Sequence, residues 1–158
     1  MTDVWFYHLE RESADKVLPG LLTRGLERDL RMAVQTIDES RMKEISQGLW
    51  AYEDVAFIPH GIAGEPAPED QPIYVTTSTD NPNAATFRFF VDGAAPDTIE
   101  GLARVCILFN GQDETALQQA RDLWKRFKAD GHAIVYQKRD PSGRWIDQAA
   151  AKREEKIE

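Results

Sequence analysis

Five consecutive apolar residues, Val105-Cys106-Ile107-Leu108-Phe109, constrain the fold more than any other feature of this 158-residue chain. Side chains along a strand point alternately to the two faces of a sheet, so a strand with no polar position must be covered on both. Such a strand belongs at the centre of a sheet flanked by helices, and the run is far too short to cross a membrane. The N-terminal third supplies flanking elements. Val4-Trp5-Phe6-Tyr7-His8-Leu9 reads as a buried strand. Over residues 15–28, Val17, Leu18, Leu21, Leu22 and Leu26 share one side of a helix. Pro19 then has to lie in the first turn, where backbone N–H groups have no intrahelical partner. Residues 31–36 read as a second strand, and Asp38 is placed to cap a helix turning Met42, Ile45, Leu49 and Trp50 toward the core. This alternation predicts an α/β fold. It is a single domain with a mostly parallel central sheet and helices on both faces, resembling nucleotide-binding folds in plan.

The middle of the chain is less regular. Val55-Ala56-Phe57-Ile58 predicts a short strand ending at Pro59, and the Pro- and Gly-rich acidic residues 61–72 read as an exposed loop. Residues 73–77 and 87–91 read as strands separated by the turn-forming Thr79-Asp80-Asn81-Pro82-Asn83. A long helix is predicted over residues 113–130, stopped by Gly131 in a left-handed cap, before a last strand at 133–137. The domain is expected to span residues 1–145. Residues 146–158, in which Ala, Lys and Glu alternate, read as a charged tail and a frayed helix.

Composition excludes several function classes. The chain holds 19 basic and 27 acidic side chains, a net charge of −8, which opposes general affinity for bare nucleic acid or an anionic membrane. The single cysteine cannot form an internal disulfide, and the first residues show no basic or apolar leader pattern, so a cytosolic protein is expected. The charge is unevenly spread. Residues 1–120 hold 9 basic and 20 acidic side chains, whereas residues 121–145 hold 7 basic and 3 acidic.

Catalytic signals are poor. His8, His60 and His132 lie far apart with no metal-ligand spacing, and Cys106 sits inside the apolar run, where a thiol behaves as a small hydrophobe. The segment after the first strand, Glu10-Arg11-Glu12-Ser13-Ala14-Asp15, has three carboxylates and no glycine, opposite to what a phosphate loop needs. His60-Gly61-Ile62-Ala63-Gly64-Glu65 carries glycines but leads into the acidic loop rather than a helix. A nucleotide-binding enzyme or sensor on the same fold is the competing reading, and it would show itself by ligand-induced stabilisation.

The long helix is more informative. With about 100° per residue, Lys125 and Lys128 fall at about +40° and −20° from Arg121, forming one cationic stripe. Ala116, Ala120, Leu123 and Phe127 cluster on the core side, and Leu117 and Trp124 occupy the border between core and stripe, with Arg126 pointing away near Asp122. Two readings fit this pattern. Trp124 closes the core edge while the cations only solvate the surface, or the border and stripe together take a peptide that is both acidic and hydrophobic.

Several pieces follow one another along nearly the whole chain: Phe6-Tyr7-His8-Leu9; Leu49-Trp50; Phe57-Ile58-Pro59-His60-Gly61-Ile62-Ala63-Gly64-Glu65; Val91-Asp92-Gly93-Ala94; Ala120-Arg121; Trp124-Lys125; Gly131; and Gly143-Arg144-Trp145. In order and spacing the set resembles the chi subunit family of bacterial DNA polymerase III, accessory proteins of the clamp-loader assembly. The resemblance implies an α/β fold without catalysis or cofactor of its own, working inside a nucleotidyltransferase holoenzyme. It also implies binding of the acidic C-terminal tail of the single-stranded DNA-binding protein, rather than direct contact with nucleic acid. Arg121, Lys125 and Trp124 match positions of that tail site. A further basic position of the family falls on Leu117, and Lys128 on the same stripe stands in for it. A second family surface contacts the psi subunit or an accessory helicase. It includes an aromatic matched by Phe57, with Trp50 and Ile58 close by in sequence.

Overall fold

The structure is a computed structural model that describes residues 2–52 and 58–148. The chain runs β1 (Asp3–Leu9), α1 (Ala14–Glu27), β2 (Met32–Gln35), α2 (Glu39–Trp50), β3 (Gly61–Ile62), β4 (Ile73–Thr76), β5 (Phe87–Phe90), β6 (Arg104–Asn110), α3 (Glu114–Ala129), β7 (Ala133–Arg139) and β8 (Trp145–Asp147). The strands make one sheet in the order β3-β4-β2-β5-β6-β1-β7-β8, parallel throughout except for the β7–β8 hairpin. From β1 to β2 and from β2 to β3 the chain travels toward one edge of the sheet, through α1 and α2. From β6 to β7 it travels toward the other edge, through α3. Because parallel crossovers keep one hand, opposite directions of travel put the helices on opposite faces.

The apolar run does what its pattern requires. On β6, Val105, Ile107 and Phe109 pack under α3 with Val4 and Phe6 of β1, while Cys106 and Leu108 face α1 with Tyr7 and Leu9. The first core also takes Val17, Leu18 and Leu22 of α1 and Met42, Ile45 and Leu49 of α2. Burying a side chain of this size contributes roughly 1.5–3 kcal/mol, so these two layers carry most of the fold's stability.

Four local expectations change. Pro19 is buried at the sixth position of α1 rather than in its first turn. The helix starts earlier because the Ser13 carbonyl accepts the Lys16 and Val17 N–H groups, and Pro19 leaves the carbonyl of the exposed residue Asp15 without its intrahelical donor. Trp50 is 54% exposed, because it stands one residue, about 100° of turn, beyond the buried Leu49. Within residues 61–72, Gly61–Ile62 pairs with Tyr74 and Val75 as an edge strand, and Pro68–Asp70 forms a 3-10 turn. The segment after Arg144 is not helical at first. Asp140 accepts from the Ser142 and Arg144 N–H groups, Gly143 takes φ +89°, and Trp145–Asp147 returns as a strand beside β7. The strand expected at residues 55–58 lies outside the described residues, apart from Ile58. The remainder of the tail, 149–158, lies outside them too.

Candidate protein-binding site

α3 is defined sharply at both ends. The Asp113 carboxylate accepts the N–H groups of Thr115 at 2.9 Å and Ala116 at 3.3 Å, capping the start. At the far end Gly131 adopts φ +84° and the His132 N–H reaches the Phe127 carbonyl at 3.1 Å, a turn that a β-carbon would strain. Between the caps Ala120, Leu123 and Phe127 are buried against the sheet, which fixes the rotation of the helix and hence the direction of everything else on it.

The two flanks of α3 differ. One is docked on the loop after β5, where Gln119 donates to the Gly93 carbonyl at 2.9 Å and Arg126 donates to the carbonyls of Pro96, at 3.0 Å, and Asp97. Arg126, on the Asp122 side of the helix and away from the stripe, is tied to that loop, while the Asp122 carboxylate accepts from Gln118. The other flank borders β7. There Leu117 and Trp124 are half-buried in the same cluster as Ile134 and Tyr136 of β7. The Lys128 ammonium lies 4.5 Å from the centre of the Trp124 ring, a cation–π contact. Arg121 and Lys125 are exposed, and neither forms an ion pair among the described residues.

Tyr136 lies on the β7 side of this seam, which we call the α3–β7 groove. Its ring stacks on Phe6 at 6.1 Å and its hydroxyl lies 2.7 Å from His8 Nδ1. Burial holds its phenol above the ordinary tyrosine range, with the Arg121 charge opposing and Glu10 adding to the rise. His8 is held below its ordinary pKa by burial and by Lys138, with Glu10 opposing. Lys138 in turn pairs with Glu10 at 3.0 Å. The result is an aromatic and aliphatic floor with a cationic rim, suited to an anionic chain that also carries apolar side chains. Ile134 and Tyr136 were not singled out by sequence reasoning. The signal was present, since a crossover from β6 through α3 must deliver the next strand beside that helix.

A family model described as DNA polymerase III chi subunit, HolC, matches residues 1–135. The chain belongs to the DNA polymerase III chi subunit family. It is similar to a protein of Rickettsia prowazekii (strain Madrid E) named probable DNA polymerase III subunit chi, with 32% identity over 80 residues. That match covers 51% of this chain and 48% of the relative, so the aligned part spans about half the length of each. The DNA replication context of the family fits a chain in which no described helix is long and apolar enough to cross a membrane.

Of the second surface that the resemblance to chi subunits suggests, the structure separates the members. Trp50 stands exposed at the end of α2 with its ring 4.5 Å from that of His60, whereas Ile58 is buried in the core beneath α2. Phe57 lies outside the described residues. His60 is buried, its Nε2 2.8 Å from Ser46 Oγ and its Nδ1 2.9 Å from the Ile58 carbonyl, so it fastens the turn to α2.

The places where related sheets do chemistry are occupied differently here. Strand exits diverge between β2 and β5, where a doubly wound sheet opens a ligand crevice. In this chain the crevice is closed by Thr36 and Arg41 on Asp92, at 2.6 and 3.0 Å, with Arg41 also held by Asp15 at 2.7 Å. A cavity of about 710 Å³ beside it is lined by four carboxylates, Glu10, Glu12, Asp92 and Asp113, against one cation, Arg11, a balance that disfavours a phosphate. Burial pushes the Cys106 thiol up to about 12, so it stays protonated and inert at neutral pH.

Proposed function

We propose that this chi-family chain is a non-catalytic replication adaptor. Its α3–β7 groove captures the acidic C-terminal tail of the single-stranded DNA-binding protein, linking the DNA polymerase III clamp loader to coated template in the cytoplasm. The observation that carries this reading is the pairing of ion-pair-free Arg121 and Lys125 with the half-buried Leu117, Trp124 and Tyr136 along one groove. Cations there attract the tail's carboxylates, and the floor receives its apolar residues. Residues 53–100 contain nine acids and one base, Arg88, so the body of the protein repels an acidic tail and directs it to the stripe. The surface at the end of α2, around Trp50, is assigned to a psi-like subunit or an accessory helicase.

The test is fluorescence anisotropy with a labelled acidic tail peptide. Reversing both cations, Arg121→Glu with Lys125→Glu, weakens binding by more than about tenfold, roughly 1.4 kcal/mol. Binding to the unaltered protein weakens as salt rises and leaves a salt-resistant remainder from the apolar contacts. An unchanged affinity in the double variant removes the assignment.

A further inference from the structure

A second concentration of arginine lies on the opposite face of the sheet, under the C-terminal half of α1. A cavity of about 190 Å³ there is lined by Arg24 of α1, by Arg28 just after that helix and by Arg104, the first residue of β6. The Arg104 guanidinium lies over the rings of Trp5, at 3.9 Å, and Phe87, at 4.8 Å. Ring contacts of this kind occupy the faces of a guanidinium and leave its five in-plane N–H donors unused. Nε of Arg104 is fully buried without a hydrogen-bond partner among the described residues. Asp3 stands opposite Arg104 in the β1–β6 register yet makes no ion pair with it. Arg24 and Arg28 likewise have no carboxylate within 4 Å among the described residues. Tyr7 adds a hydroxyl that burial keeps protonated and that has no hydrogen-bond partner among the described residues.

Every charged side chain lining this cavity is therefore a cation, in a chain of net charge −8. Arg24 and Arg28 are exposed and Arg104 is partly buried, so the three guanidinium groups offer an acceptor several donors at one apolar-walled opening. We propose that the cavity binds a compact oxyanion, a free phosphate or the phosphate of a small phosphomonoester, held between the in-plane N–H groups of Arg104 and the guanidinium groups of Arg24 and Arg28. At about 190 Å³ the cavity has room for a phosphate, and its opening leaves space for a small group attached to it. The site is independent of the α3 groove, which lies on the other face.

The experiment is isothermal titration calorimetry on the full chain, with inorganic phosphate and phenyl phosphate in turn, against sodium chloride at matched ionic strength. The expected result is saturable binding, accompanied by a rise in Tm, that weakens at least tenfold in Arg104→Gln. Because Arg104 also packs in the sheet, the exposed pair Arg24→Gln with Arg28→Gln provides the second test and should show a similar loss. Arg121→Glu with Lys125→Glu should leave phosphate affinity unchanged. Tighter binding of phenyl phosphate identifies a phosphomonoester ligand, and tighter binding of inorganic phosphate identifies the free ion. Absence of saturable binding above chloride, or equal affinity in the Arg24/Arg28 double variant, overturns the proposal.

Discussion

One face of the sheet carries arginine in two opposite settings. Over β4, β2 and β5 the covering layer is the β4–β5 connection, residues 77–86, and Arg88 beneath it is 4% exposed. Its Nε and Nη2 donate to Gln35 Oε1 at 3.1 and 2.9 Å, Nη1 to the Asp80 carbonyl at 2.9 Å, and Nη2 to the Ser78 carbonyl at 2.6 Å. The Asp80 carboxylate collects the hydroxyls of Tyr74, Thr76 and Ser78. Over β6, β1 and β7 the cover is α3, and Arg121 on it is exposed with no ion pair among the described residues. The difference comes from the backbone. A helix satisfies its own carbonyls, so an arginine on the α3 flank that faces away from the β5–β6 loop, such as Arg121, remains available to a partner molecule. A loop laid on a sheet buries carbonyls that need donors from elsewhere, and Arg88 supplies them.

The sharpest way to break this contrast is to remove the buried arginine. Arg88→Leu strands Gln35 and the Ser78 and Asp80 carbonyls, and should cost about 3 kcal/mol in urea denaturation. Arg121→Glu with Lys125→Glu should stay within about 0.5 kcal/mol of the parent in the same measurement while losing tail binding. The reverse ranking would mean that the two arginine settings have been misjudged. A smaller effect is expected from Leu117→Arg, which adds a cation at the groove border. Tail-peptide affinity should rise about threefold, the scale of one exposed ion pair, and a fall would show that the apolar border matters more than the added charge.

The smallest effect is one of pH, read at the groove floor. His8 has a folded pKa below its ordinary 6.5, through burial and Lys138 with Glu10 opposing, so the unfolded chain binds a proton more readily than the folded one. Its contribution to stability is complete above the unfolded value and is lost as pH falls through 6.5 toward the folded pKa. Denaturation profiles from pH 7.5 to pH 5 should therefore slope less steeply for His8→Gln than for the parent. Parallel profiles would place His8 outside the groove's electrostatics.

Much of this was legible along the chain, because it depends on period. Val105 to Phe109 alternate between the two cores, Asp38 caps its helix, and the angular positions of Arg121, Lys125 and Lys128 follow from helix pitch alone. Legibility failed where a residue sits at the end of a pattern. Trp50 follows the buried Leu49 by one position and turns outward, and Pro19 is absorbed mid-helix, where the residue whose carbonyl it deprives, Asp15, is an exposed one. Trp145 pairs with β7 because the Asp140–Gly143 turn reverses the chain, and its ring meets Tyr7 edge-on at 5.1 Å.

The sequence by itself determined the α/β class, the central strand and the existence of a cationic stripe beside Trp124, since each rests on spacing within one element. Only the tertiary structure decided what lies across from each element. It set Tyr136 and Ile134 against the stripe, enclosed Arg88 while leaving Arg121 exposed, and gathered Arg24, Arg28 and Arg104 around one cavity. Those juxtapositions join residues far apart in the chain. They are set by strand order and crossover hand, which local periodicity does not encode.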